Sequence, residues 1–138
     1  MNDAIDIFKT FSTDKKSEKE GKETLLPNCG PTKFLVARAG NATYKRLVNT
    51  LYKKHRAVLD SKSEAAESKS DEILAEVYAK SILLGWEGNL QINGKATPYS
   101  YEAALSLLSL NDFRSIVEGV SQDYNTFKNE EDEVDLKN

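Results

Sequence analysis

Few residues in this chain have the type and spacing that chemistry requires. His55 is the only histidine and Cys29 the only cysteine. A zinc centre wants three or four Cys or His ligands, and two such residues fall short. Cys29 sits between Asn28 and Gly30 in a turn signal, with no Cys-x-x-Cys partner, which reads as a spare thiol. His55 falls on the apolar stripe of a helix with no triad partner beside it, so a buried, hydrogen-bonded imidazole is expected. Gly85, Gly88 and Gly94 match neither a dinucleotide fingerprint nor a phosphate loop. Glu130-Glu131-Asp132-Glu133 is a run of carboxylates in a stretch without periodicity, where a solvated tail is expected rather than a calcium loop or a catalytic pair. No enzyme, metal or cofactor is expected.

Charge is the more informative feature. The net charge of −3 hides a polarity. From Lys33 to Lys62 there are eight Lys or Arg residues against Asp60 alone, while from Asn111 onward eight Asp or Glu face Arg114, Lys128 and Lys137. Lys45, Arg46, Lys53 and Arg56 make a basic helix face, suited to electrostatic self-association in a homo-oligomer or to an acidic partner. Nucleic acid is the weaker reading, because the pI of about 5.3 and the acidic end oppose it and no nucleic-acid motif is present.

The chain of 138 residues, with mean hydropathy −0.56, is expected to make one domain with a modest core. It has no apolar run long enough to span a bilayer and no secretory leader pattern, so a cytoplasmic setting is expected.

Ile5, Ile7, Phe8 and Phe11 suit a short helical turn or a docking strand; the apolar-free Ser12 to Glu23 suits a mobile linker. Leu25-Leu26 and Phe34 to Ala37 flank a turn and predict two short strands. Asn41 should cap a helix whose stripe is Tyr44, Leu47, Val48, Leu51, Tyr52, His55, Val58 and Leu59. Ser61 to Ser70 is either a loop or the first turns of the next helix. The apolar residues of Glu72 to Leu84 cover a broad face, predicting a central helix. Gly85 suits the left-handed residue ending that helix, with Trp86 folded back across the helix ends. Asn93-Gly94 predicts a hairpin or wide loop, Ser100 caps a helix to Leu108, and Asn111 or Asp112 caps a last one with Phe113, Ile116, Val117 and Val120 inward. The expected architecture is mainly α, a compact bundle of about four helices with a short N-terminal β-hairpin. Its boundaries are a segment and flexible linker over 1–24, a helical domain over 25–127 and an acidic tail over 128–138.

Three patterns carry a resemblance: Phe34-Leu35-Val36-Ala37-Arg38-Ala39-Gly40-Asn41 before a helix, Tyr78-Ala79-Lys80-Ser81-Ile82-Leu83-Leu84-Gly85-Trp86-Glu87-Gly88, and Asn93-Gly94-Lys95 with Pro98-Tyr99-Ser100 ahead of Asp123-Tyr124-Asn125-Thr126-Phe127. In that order they resemble the tail assembly chaperones of long-tailed, siphovirus-type bacteriophages. Leu90-Gln91-Ile92 departs from the more acidic loop of that pattern. The resemblance implies a non-enzymatic factor in the host cytoplasm that binds and solubilises the tape measure protein, recruits tail tube subunits and is absent from the virion. It also implies a longer product made by ribosomal frameshifting. A groove along Tyr78, Ile82 and Trp86 is the expected partner-binding face. The alternatives are a structural head or tail component retained in the virion and a small nucleic-acid-binding regulator.

Overall fold

Phe34 and Val36 alternate with Lys33 and Leu35, and this period-two pattern makes β2 (Lys33–Val36) a strand with one face wholly buried. The computed structural model describes residues 4–88 and 90–129. In chain order its elements are α1 (Ile7–Thr10), α2 (Lys15–Glu20), β1 (Lys22–Leu25), β2, α3 (Ala42–Lys54), α4 (Arg56–Leu59) and α5 (Glu64–Ser81). Then come β3 (Leu83–Glu87), β4 (Gln91–Ile92), β5 (Lys95–Ala96), α6 (Tyr101–Leu108), α7 (Asn111–Gln122) and a 3₁₀ turn, Tyr124–Phe127.

The expectation of a compact four-helix bundle with one hairpin is overturned. Among the described residues there are seven helices and two small antiparallel sheets, a mixed α/β arrangement. The main sheet runs β1-β2-β3, with Phe34 opposite Trp86 and Leu35 opposite Gly85. Gly85 therefore lies mid-strand rather than ending a helix, and Trp86 stands on the sheet. The physical reason is non-local: α5 ends at Ser81, and one residue later the chain turns into β3, held where the Ala37 amide donates to the Ile82 carbonyl at 2.8 Å. Pairing with β2 satisfies backbone groups that another helical turn would otherwise have satisfied.

α5 is the central element. It packs against α3, α4, α6 and β3, which accounts for the breadth of its apolar face. Tyr78 and Ile82 fill the space between sheet and helices, and Ala75 and Ala79 let neighbours approach closely. Ala104 and Leu108 of α6 and Val117 of α7 close the core, each fully buried. Burial of side chains of this kind stabilises by about 1.5–3 kcal/mol for each large one.

The polar stretch 12–23 is not a structureless linker: it forms α2 and opens β1. KKSEKE contains good helix formers but no apolar face, so tertiary contacts hold it. The Arg38 amide donates to the Glu18 carbonyl at 2.8 Å, the Arg38 guanidinium meets the Glu18 carboxylate at 3.3 Å, and the Asp14 amide donates to the Phe127 carbonyl at 2.8 Å. Gly21 joins α2 to β1 at φ 98° and ψ 152°, a backbone region open to glycine, and a Cβ there would come within 2.7 Å of Leu35 Cγ.

Local signals elsewhere meet their expectations. Asn41 Oδ1 accepts from the Tyr44 amide at 2.9 Å, while its Nδ2 donates to the carbonyls of Arg38 and Ser81, joining the start of α3 to the end of α5. Ser100 caps α6, and Asn93 and Gly94, both at positive φ, turn β4 into β5. Ser61 to Ser70 splits between a turn and the first turns of α5. The acidic run from Glu130 lies outside the described residues.

Candidate functional site

Tyr78, Ile82 and Trp86 are close together but do not form an open groove. Tyr78 is 1% exposed and Ile82 0%. Tyr78 meets Tyr44 edge-on, with ring centroids 5.8 Å apart and planes at 89°. Trp86 is half-buried, and its Nε1 donates to the Thr97 carbonyl at 3.0 Å. Its ring packs edge-on to Tyr99 at 5.1 Å and tilted to Phe34 at 6.1 Å. The indole thus pins the exit of the β4–β5 hairpin to the main sheet, a role suited to a large ring with a single polar handle. Two of the three residues are unavailable to a partner while the fold is intact.

Burial pushes the Tyr78 phenol up to about 12, with Ser121 and Gln122 as nearby polar groups that pull the other way. Because the folded value exceeds the ordinary tyrosine value of about 10, the native state holds this proton more tightly than the unfolded chain. Its stabilising contribution is fully present below pH 10 and is lost as pH rises from 10 towards 12. Urea unfolding between pH 8 and 12 should therefore show a steeper alkaline decline for the wild type than for Tyr78→Phe, which has no proton to lose there. Parallel declines would contradict the assignment.

The basic face is open. Lys45, Arg46, Lys53, Lys54 and Arg56 are all exposed, and none makes an ion pair among the described residues. Asn49, Tyr52, Lys53, Arg56, Leu59 and Asp60 line a shallow depression of about 320 Å³ where α3 meets α4. α3 has no fully buried residue, so its apolar stripe is only partly covered, and Tyr52 and Val58 remain exposed. His55, expected in the core, instead ends α3 in a half-buried position beside Lys69, Glu72 and Glu76.

A second open surface was legible only as an apolar cluster. Ile5, Ile7, Phe8 and Phe11 are 71%, 60%, 93% and 53% exposed. Asp6 caps α1 by accepting from the Phe8 and Lys9 amides at 3.1 and 3.4 Å, which sets the turn. Phe11 leans on Tyr124 at 4.8 Å, fastening the segment to the body.

Arg114 was not foreseen as anything but surface charge, yet it is 6% exposed and joins α5, α6 and α7. Its guanidinium donates to the Leu108 carbonyl, the Asp71 carboxylate and Asn111 Oδ1 at 3.0, 3.1 and 2.9 Å. Cys29 is half-buried in its turn, and burial pushes its thiol up, away from the reactive thiolate. Among the described residues no three His, Cys, Asp or Glu side chains group as a metal site, and no helix is long and apolar enough to cross a membrane. Two features of the surface stand out: an exposed apolar turn at one place and a basic face at another.

No curated protein and no solved structure matches the chain. A family described as "YdaY prophage protein" matches residues 39–138, a span that begins just past β2 and includes α3 to α7 with β3, β4 and β5. The matched span holds the basic face, Trp86 and Arg114, while α1, α2, β1 and β2 precede it. The match covers well over half of the sequence, so the chain is phage-derived and belongs to the YdaY prophage protein family.

Proposed function

We propose that this prophage protein is a tail assembly chaperone, a non-enzymatic factor that works in the host cytoplasm. It binds the tape measure protein, keeps it soluble and recruits tail tube subunits. The observation that carries the proposal is the α1 segment: four large apolar side chains within seven residues stand exposed on a capped turn fastened to a folded body. Monomeric soluble proteins rarely leave such a cluster uncovered unless something docks there. A long helical client exposes apolar stripes before the tube encloses it, and a preformed apolar turn can lie against such a stripe with little ordering cost. The prophage family and the order of the Phe34, Tyr78 and Asn93 patterns support the same setting. The client surface is accordingly moved from Tyr78 and Ile82, which the core occupies, to Ile5, Ile7, Phe8 and Phe11.

Co-expression with the phage's own tape measure protein tests it. The wild-type chain should raise the soluble fraction of that client several-fold. Ile7→Asp/Phe8→Asp, which changes only exposed positions, should keep the far-ultraviolet spectrum and melting temperature but lose the effect. A folded double variant that still solubilises the client removes the surface; a wild-type chain that leaves the client insoluble removes the function.

A further inference from the structure

We propose that the acidic C-terminal segment of one copy docks on the α3–α4 face of a second copy, so that the chain self-associates through its own charge polarity. This goes beyond the chaperone reading and does not rest on it. The face has five exposed cations with no ion pair among the described residues; two of them, Lys53 and Arg56, line the depression, where Asp60 is the one acid. Beside Lys53 and Arg56, Tyr52 and Leu59 offer a small apolar floor.

Residues 130–138, outside the described residues, read Glu-Glu-Asp-Glu-Val-Asp-Leu-Lys-Asn. Five carboxylates there interleave with Val134 and Leu136. Acids matched to unpaired cations, and two aliphatic side chains matched to an apolar floor, make one ligand complementary to one surface in both respects. A nucleic acid would satisfy the cations but leave the aliphatic floor unused.

The chain end favours a neighbour over the same copy. The Asn129 amide donates to the Ser12 carbonyl at 3.1 Å and Lys128 bridges Thr13, so the segment departs beside α2. The first residue of α3 also lies on that side, since Arg38 is bonded to Glu18. Tyr52 is eleven residues beyond Asn41, about 16 Å along the helix. Val134 is five residues past Asn129, at most about 18 Å of extended chain. For Val134 to reach its own copy's depression the chain would have to run almost straight, whereas a second copy meets no such limit.

Sedimentation velocity of the full chain tests the proposal. The wild type should self-associate at 0.05 M salt and dissociate at 1 M, where the screening length falls to about 3 Å, with at least a tenfold weaker association. Lys53→Glu/Arg56→Glu and Glu130→Gln/Glu131→Gln/Asp132→Asn/Glu133→Gln should each be monomeric alone. Mixed together they should pair, because each supplies what the other lacks. A wild type that stays monomeric, an assembly that neither variant weakens, or a mixture that stays monomeric overturns it. So does a monomeric wild type that binds random-sequence duplex DNA in a manner abolished by Lys53→Glu/Arg56→Glu, which would assign the face to nucleic acid.

Discussion

Truncating Ile82 to alanine is expected to lower the free energy of unfolding by about 3–4 kcal/mol, and Ile82→Asn should leave the domain unfolded. Ile82 is 0% exposed and sits at the junction where α5 gives way to β3. Its side chain belongs to the same buried cluster as Phe34, Val36, Tyr78 and Leu108, so sheet and helices both lose contacts when it is cut back. Its carbonyl accepts from Ala37, which fixes the backbone and limits collapse into the vacated space. A cavity that cannot collapse gives the upper part of the usual range for such truncations. Domains of this size are stable by about 5–15 kcal/mol, so the alanine variant should remain folded with a much lower urea midpoint. Asparagine would add an amide with no partner in place, on top of the lost burial. Urea titrations followed by circular dichroism give the number directly. A loss under about 1 kcal/mol would mean that Ile82 is not in the core, and would reopen the groove along α5 as a binding site. By the same reasoning, lost client binding in a polar Ile82 variant reports unfolding and says nothing about a docking surface.

How far the sequence could be followed depended on the range of the interaction involved. Asn41, Ser100 and Asn93-Gly94 act within three or four residues, and each does in the fold what its type and position predict. β3 was missed because its partner lies some fifty residues earlier: Leu83-Leu84-Gly85-Trp86 continues the apolar run of α5, and glycine fits a helix end as well as a strand. α2 was missed because nothing apolar marks it; its bonds go to Arg38 and Phe127. The broad apolar face of α5 marks it as the central helix, but that breadth is no surplus for a partner, because β3, α3, α4 and α6 already pack against it. The basic face of α3 is legible by periodicity, and only the coordinates add that its cations make no ion pair among the described residues and that Lys53 and Arg56 border a depression. The exposure of Ile5 to Phe11 could not be inferred, since apolar spacing alone does not distinguish a buried turn from an uncovered one.

Arg114→Ala should cost about 2–3 kcal/mol. Leu108 is the last residue of α6 and fully buried, and its carbonyl belongs to the final turn, which has no acceptor role left within the helix. Arg114 Nη1 donates to it at 3.0 Å, while Nη2 bridges Asp71 and Asn111 and Nε lies 3.5 Å from a Glu118 oxygen. When the guanidinium is removed, Asp71, about half exposed, and Glu118, about a third exposed, can recover water. The Leu108 carbonyl cannot, and that asymmetry is the main source of the loss. Arg114→Met tests this separately, since it restores volume without a donor and should still lose about 2 kcal/mol. Arg114→Lys should recover little, because an ammonium at the end of a flexible stem cannot reproduce the planar fork that reaches three acceptors on α5, α6 and α7. The alanine variant should melt about 8 °C lower, by the usual conversion for a domain of this size. Because the pairing is largely out of water, the deficit should persist at 1 M salt, where the exposed Lys69–Glu72 pair at 2.9 Å would be screened away. Full rescue by lysine, or a deficit that vanishes in salt, would reduce Arg114 to an ordinary surface charge and leave the junction of α6 and α7 held by apolar packing alone.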